Sequence, residues 1–171
     1  VLLEHLVGVP GFEVHTVAEK DGPSVQPVTP TRFHQLNVVD QFFHTVASPP
    51  VAYLLLLVGL GLLVFELYTA GVGIAGVIGA VSFLLATYGL GVLPARGWAI
   101  GLVVLAFLGY AIDVQAGVPR TWSVIGTVSL VVGSVFLFDG VSLSWITFGV
   151  GVVGTGMGMV GGMPAMVRTR F

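Results

Sequence analysis

The chain has 171 residues, of which 56% are apolar and only 8% charged, with a formal net charge of −2 and a mean hydropathy of +1.03. Soluble domains carry about 25% charged residues, so this composition excludes a water-soluble globular protein and specifies an integral membrane one. A near-neutral charge with no basic run leaves no footprint for nucleic acid, and the lack of cysteine removes disulfides and thiolate metal sites.

Seven of the 14 charged residues fall in the first 50 positions, so the chain divides at Pro49-Pro50 into a polar head (1–50) and a membrane body (51–171). It opens on Val1, with no basic segment leading into a short apolar run, which points to a processed or incomplete chain and not to a signal peptide. In the head, Leu2–Leu6 reads as the end of a helix. Phe12–Val17 and Ser24–Val28, either side of Lys20-Asp21-Gly22, read as a hairpin. Phe33, Leu36, Val39, Phe42, Phe43 and Val46 recur at spacings of three and four, which predicts an amphipathic helix over Phe33–Val46 lying along the membrane surface. Fifty residues cannot build a large core, so the head reads as the extracytoplasmic tail of a soluble domain.

A spanning helix needs about 17 to 25 apolar residues, a length met by Val51–Leu67, Gly97–Val114, Trp122–Phe138 and Leu143–Met163. Ile74–Leu93 is a fifth candidate. Its approach carries four glycines, Gly71, Gly73, Gly76 and Gly79, in nine residues, so it reads either as a span or as a re-entrant half-helix covered by its neighbours. Trp98, Trp122 and Trp145 each stand at the start of a span, where an indole sits at headgroup level. Five spans place the chain ends on opposite sides. Arg120, Arg168 and Arg170 against Arg96 and the distant Arg32 favour the N-terminus outside and the C-terminus in the cytoplasm.

Two stretches 47 residues apart repeat each other. Val77-Ile78-Gly79 fall on Val124-Ile125-Gly126, Val81-Ser82 on Val128-Ser129, Glu66 on Asp113, Ala52 on Ala99 and Leu55 on Leu102. Each unit is an apolar span ending in an acid, a glycine-containing break and a second span, and Trp145 falling on Trp98 opens a partial third. The expected fold is therefore all-α, with about five transmembrane helices built from two repeats and part of another.

GVGIAG (Gly71–Gly76) spells the dinucleotide fingerprint, yet it follows a membrane span and not a core strand, so packing is the better reading. His5, His15, His34 and His44 all precede the first span without the spacing of a zinc helix, and the single lysine, Lys20, sits in a predicted turn. A membrane-embedded nucleophile therefore has no base beside it, and no catalytic residue, cofactor or metal site is expected. Met157, Met159, Met163 and Met166 read as apolar filler. Glu66 and Asp113 are the sharper candidates, because acids inside spans mark pathways or partners. Glu66 lies 15 residues past Val51, about 22 Å along a helix and hence near the far interface. It can accept hydrogen bonds from N–H groups of the glycine break or bind an ion or partner; one acid beside each break favours the structural role. Gly154, Gly158 and Gly162 form a GxxxGxxxG row on the last span, suited to close helix packing inside the fold or between subunits.

ASPPVAYLLLLVGLGLLVFE (Ala47–Glu66), ELYTAGVGIAGVIG (Glu66–Gly79) and VIGTVSLVVGSVFLFDG (Val124–Gly140), in that order, resemble the membrane domain of the NfeD family, and the resemblance covers Leu2 to Phe171. Ala70 stands where the family usually has proline before the first glycine; Asp113 and Val118-Pro119-Arg120 stand where relatives often have glutamate and a Pro-Ser-x-Gly run. Long members carry an extracytoplasmic serine endopeptidase domain with a Ser-Lys dyad before this domain and an OB-like barrel after it. The resemblance makes residues 1–46 similar to the tail of the former and Val167–Phe171 similar to the lead into the latter. It implies a multi-pass protein of the bacterial plasma membrane that works with a stomatin-, prohibitin- or flotillin-like (SPFH) scaffold in membrane organisation and quality control. The expected function is a non-enzymatic anchor in a multi-subunit assembly; the alternative is a small transporter or channel component using Glu66 and Asp113 as ion-binding carboxylates.

Overall fold

A computed structural model describes residues 14–19, 22–27, 37–69, 73–116 and 120–168 of the chain, which divides into two compact units, Val1–Leu36 and Asn37–Phe171. In the first, strands β1 (Val14–Glu19) and β2 (Gly22–Pro27) pair antiparallel, with Val14 opposite Pro27 and Glu19 opposite Gly22. The hairpin sits two residues closer to its turn than the alternation predicts. Pairing through Gly22 leaves two residues between the strands, the commonest hairpin connection, and Gly22 thereby moves from the predicted turn into the ladder. The predicted helix end at Leu2–Leu6 and the start of the amphipathic stretch, residues 33–36, lie outside the described residues.

The second unit is helical: α1 (Val38–Val46), α2 (Pro49–Thr69), α3 (Ile74–Val92), α4 (Gly97–Ala116), α5 (Thr121–Val135), α6 (Trp145–Gly156), a π-helical segment (Met157–Gly162) and α7 (Met163–Arg168). In hydrocarbon each backbone N–H and C=O must find its partner inside the segment, so long apolar runs resolve as helices. α2 opens on Pro49-Pro50, tolerated there because the first helical N–H groups lack partners anyway. α3 is one continuous 19-residue helix and not a re-entrant half-helix.

Among the described residues, four runs are long and apolar enough to cross a membrane: α2, α3, α4 and the α6–α7 run Trp145–Ala165. α5 is shorter, at 15 residues, about 22 Å where the hydrocarbon is about 30 Å thick. Its predicted end, Phe138, instead pairs with Ala95 in an isolated β-bridge, and Gly140 beyond it turns the chain at φ 70°. The π-helical segment is absent from the sequence reading, although its cause is written there. Pro164 has no N–H and crowds the carbonyl four residues back, and the helix widens just before it, with Met163 N–H donating to Gly158 O.

Lipid is as apolar as leucine, so helices associate through close packing and not through water exclusion. The two repeats do this in the same way. α2 packs on α3 where a Cβ at Gly59 would lie 2.7 Å from the Phe83 amide nitrogen and one at Gly79 3.0 Å from the Leu63 nitrogen. α4 packs on α5 at the positions 47 residues on: a Cβ at Gly126 would lie 2.9 Å from the Ala106 carbonyl oxygen. Tyr53, Leu56, Phe107, Tyr110, Leu130 and Leu137 join both pairs in one buried cluster.

The ends of the bundle are tied separately. At one, Tyr53 Oη donates to Ser134 Oγ (2.9 Å) in the interior, Arg96 N–H donates to Leu137 O (2.9 Å) and Asp139 N–H to Pro94 O (2.8 Å). Arg96 also meets Asp139 at 2.7 Å, but an exposed ion pair contributes at most about 1 kcal/mol, so the backbone bonds do most of the joining. At the other end, Tyr68 Oη donates to Ala111 O (2.7 Å), linking the C-terminal turns of α2 and α4.

Candidate functional site at the helix breaks

Both acids sit one turn before a break, and both reach across it. Glu66 Oε1 accepts from Gly73 N–H at 2.9 Å and Oε2 from Gly76 N–H at 3.2 Å. Gly73 is the N-cap of α3 and Gly76 lies in its first turn, so the half-buried carboxylate takes up two of the four donors that a helix start leaves unpaired. A negative charge at that end also complements the helix dipole. Glycine suits both contacts. Gly73 has φ 82°, a left-handed conformation that costs a side chain energy, and a Cβ at Gly76 would lie 3.0 Å from Glu66 Cγ.

At its helix N-cap the second break has the same left-handed backbone with a different side chain. Arg120, 47 residues after Gly73, caps α5 in the same left-handed region at φ 41°, and it is the one non-glycine residue with positive φ among the described residues. Asp113 is a methylene shorter than Glu66. Its Oδ2 accepts from the Ser123 hydroxyl at 2.5 Å, where Glu66 takes the amide of Gly76, the matching position. Thr127 Oγ1 donates to Ser123 O (2.8 Å) and lies 3.0 Å from Tyr110 Oη, which extends the polar chain inward. Asp113 Oδ1 is buried and has no hydrogen-bond partner among the described residues.

The remaining candidates are spread out. Gly71 lies outside the described residues, and Gly79 belongs to the α2–α3 contact and not to the carboxylate. Along the last span, a Cβ on Gly154 or Gly158 would have no neighbour within 4 Å among the described residues, and one on Gly162 would meet among them only Met157 O of its own turn, at 3.9 Å. The row therefore does not pack inside the fold, against one half of the sequence reading. Gly151 does, since a Cβ there would lie 2.5 Å from Tyr53 Cε1. Gly154 and Gly158 instead line an apolar cleft of about 370 Å³ walled by Leu57 and Gly61 of α2 and Phe107 of α4, and neither acid borders it. Among the described residues no three His, Asp or Glu side chains gather in a metal-binding group.

Ser123, Thr127, Tyr68 and Tyr110 are participants that the sequence reading missed. The repeat register held a signal for one of them: if Glu66 serves Gly76, then Asp113 should serve residue 123.

A family description, the NfeD integral membrane domain, matches residues 50–164, from the start of α2 to the proline after the π-helical segment. The membrane-bound protease PH1510 of Pyrococcus horikoshii is 28% identical over 101 residues, which cover 59% of this chain and 23% of the relative, so the chain spans about a quarter of that protein. No solved structure matches. With the match running through both breaks and every apolar span, the chain belongs to the NfeD family through its integral membrane domain.

Proposed function

We propose that this chain is a membrane anchor that holds a stomatin-, prohibitin- or flotillin-like scaffold protein in a multi-subunit assembly for membrane organisation and quality control. It carries out no catalysis of its own and sits in the plasma membrane with residues 1–50 outside. The observation that carries this reading is the last span. Only 11% of it is buried, against 28–33% for α2, α3 and α4, and its small residues Gly154 and Gly158 open onto an apolar cleft. Where helices associate by van der Waals contact, an open small-residue face on the least packed span gains most from a further helix.

The acids support the non-catalytic part: Glu66 spends both oxygens on the start of α3, and Asp113 one on Ser123. The relative with protease in its name is matched over only 23% of its length. Affinity purification of the chain in mild detergent, followed by mass spectrometry, should bring down a scaffold protein of this class. Recovery of none would end the assignment.

One observation favours a second reading, an ion-binding role in transport: the buried Asp113 Oδ1 has no hydrogen-bond partner among the described residues. Ion flux through liposomes holding the purified chain, abolished by Asp113→Asn, would establish it.

A further inference from the structure

The helix before the first span has an apolar face that the protein leaves open. On a wheel of about 100° per residue, Val38, Val39, Phe42, Phe43 and Val46 of α1 fall within an arc of about 140°, and Asp40, Gln41, His44 and Thr45 fill the opposite arc. Only Val46 is buried; Val38 is 78% exposed and Phe42 50%. α1 is nevertheless fixed in place. Its C-terminal carbonyl, Val46 O, sits where a Cβ on Gly89 of α3 would lie 2.6 Å away, and three residues later the chain enters α2. A pinned helix with an uncovered apolar face needs an environment to cover it.

The surroundings identify that environment. On α3, Val81, Leu84, Tyr88 and Val92 recur at spacings of three and four and are all exposed, which makes them the lipid-facing stripe of a membrane span. That stripe runs on into α1 without a gap, since the Tyr88 ring lies 5.0 Å from Phe43 and the Phe43 ring 5.6 Å from Phe42. The level is right as well. α1 joins the bundle at the end where α4 and α6 begin, with the exposed indoles Trp98 and Trp145, and such residues settle at the headgroup boundary.

We infer that α1 is an interfacial helix, lying in the membrane–water boundary with Val38, Val39 and Phe42 in lipid and Asp40, Gln41 and His44 toward water, so that the chain enters the bilayer from a helix seated on it. The polar arc holds Asp40 and no lysine or arginine, so the surface it takes is held by apolar burial and needs no anionic lipid, unlike a basic amphipathic helix. The inference stands independently of any protein partner.

The chain has no cysteine, so single cysteines from Val38→Cys to Thr45→Cys can be nitroxide-labelled one at a time in the full chain, reconstituted into phosphatidylcholine vesicles. Most of these side chains are exposed, so the fold should tolerate them. Power-saturation resonance is expected to show oxygen access exceeding access of a water-soluble nickel chelate several-fold at Val38, Val39 and Phe42, and the reverse at Asp40, Gln41 and His44. Nickel access on every side would place α1 in water, and low access to both probes at Val39 and Phe42 would mean that protein covers the face; either result overturns the inference. So would a pattern that arises only after anionic lipid is added.

Discussion

A single methylene separates the two carboxylates at the helix breaks, and it changes what each can hold. Glu66 reaches two backbone amides of α3, whereas Asp113 stops at a serine hydroxyl and leaves Oδ1 without a partner among the described residues. Replacing Glu66 therefore tests the role of the cap. Glu66→Gln keeps one carbonyl acceptor and is expected to be mild. Glu66→Leu leaves both N–H groups unpaired, at about 1–3 kcal/mol each, which thermal unfolding in detergent would register. Equal loss in both variants would show that the charge matters more than the acceptor. Arg120 offers the converse test. A non-glycine residue in the left-handed region costs roughly 1–2 kcal/mol, partly offset by the entropy glycine gives up on folding, so Arg120→Gly should raise the unfolding midpoint and not lower it. A fall would mean that the Arg120 side chain makes a contribution outweighing its strain.

The elements show what the sequence could and could not carry. The spans were legible, because length and apolarity are local properties, and so was the repeat that placed an acid before each break; α3 and α5 begin 47 residues apart, at Ile74 and Thr121. The shortness of α5 was not legible, since nothing in Phe136–Phe138 is less apolar than the helix before it; the stop depends on a bridge from Phe138 to Ala95 on another loop. The cap of Asp113 was half legible, because register pointed to position 123 but not to a side-chain hydroxyl as donor. The glycines divide by a tertiary fact that spacing cannot show: a Cβ on Gly59, Gly79 or Gly126 would press on a neighbouring helix, whereas one on Gly101, Gly154 or Gly158 would meet no described residue within 4 Å. Gly79→Ala and Gly126→Ala are each expected to destabilise by about 1–3 kcal/mol through overpacking. Gly101→Ala should be neutral or stabilising by up to about 1 kcal/mol. Parallel losses at Gly79 and Gly126, 47 residues apart, would establish that the two repeats pack alike, and a loss at one alone would count against it.

At the scale of the whole molecule, two helical pairs of like construction are tied at both ends, and a last span leans on them lightly. Tyr68 joins the ends that carry the acids, the Arg96–Asp139 loops join the other, and Gly151 against Tyr53 and Leu57 fixes one point of α6. What stays open is the face around Gly154 and Gly158, and the assembly role rests on that face. The most direct measurement is copurification of a scaffold protein with Gly158→Leu and with Val153→Leu, each shown by gel filtration in detergent to keep the wild-type profile. Val153 is exposed but does not border the cleft, so its variant should retain the partner while Gly158→Leu loses it. Retention of the partner by both variants would contradict the claim that this face is where the chain assembles.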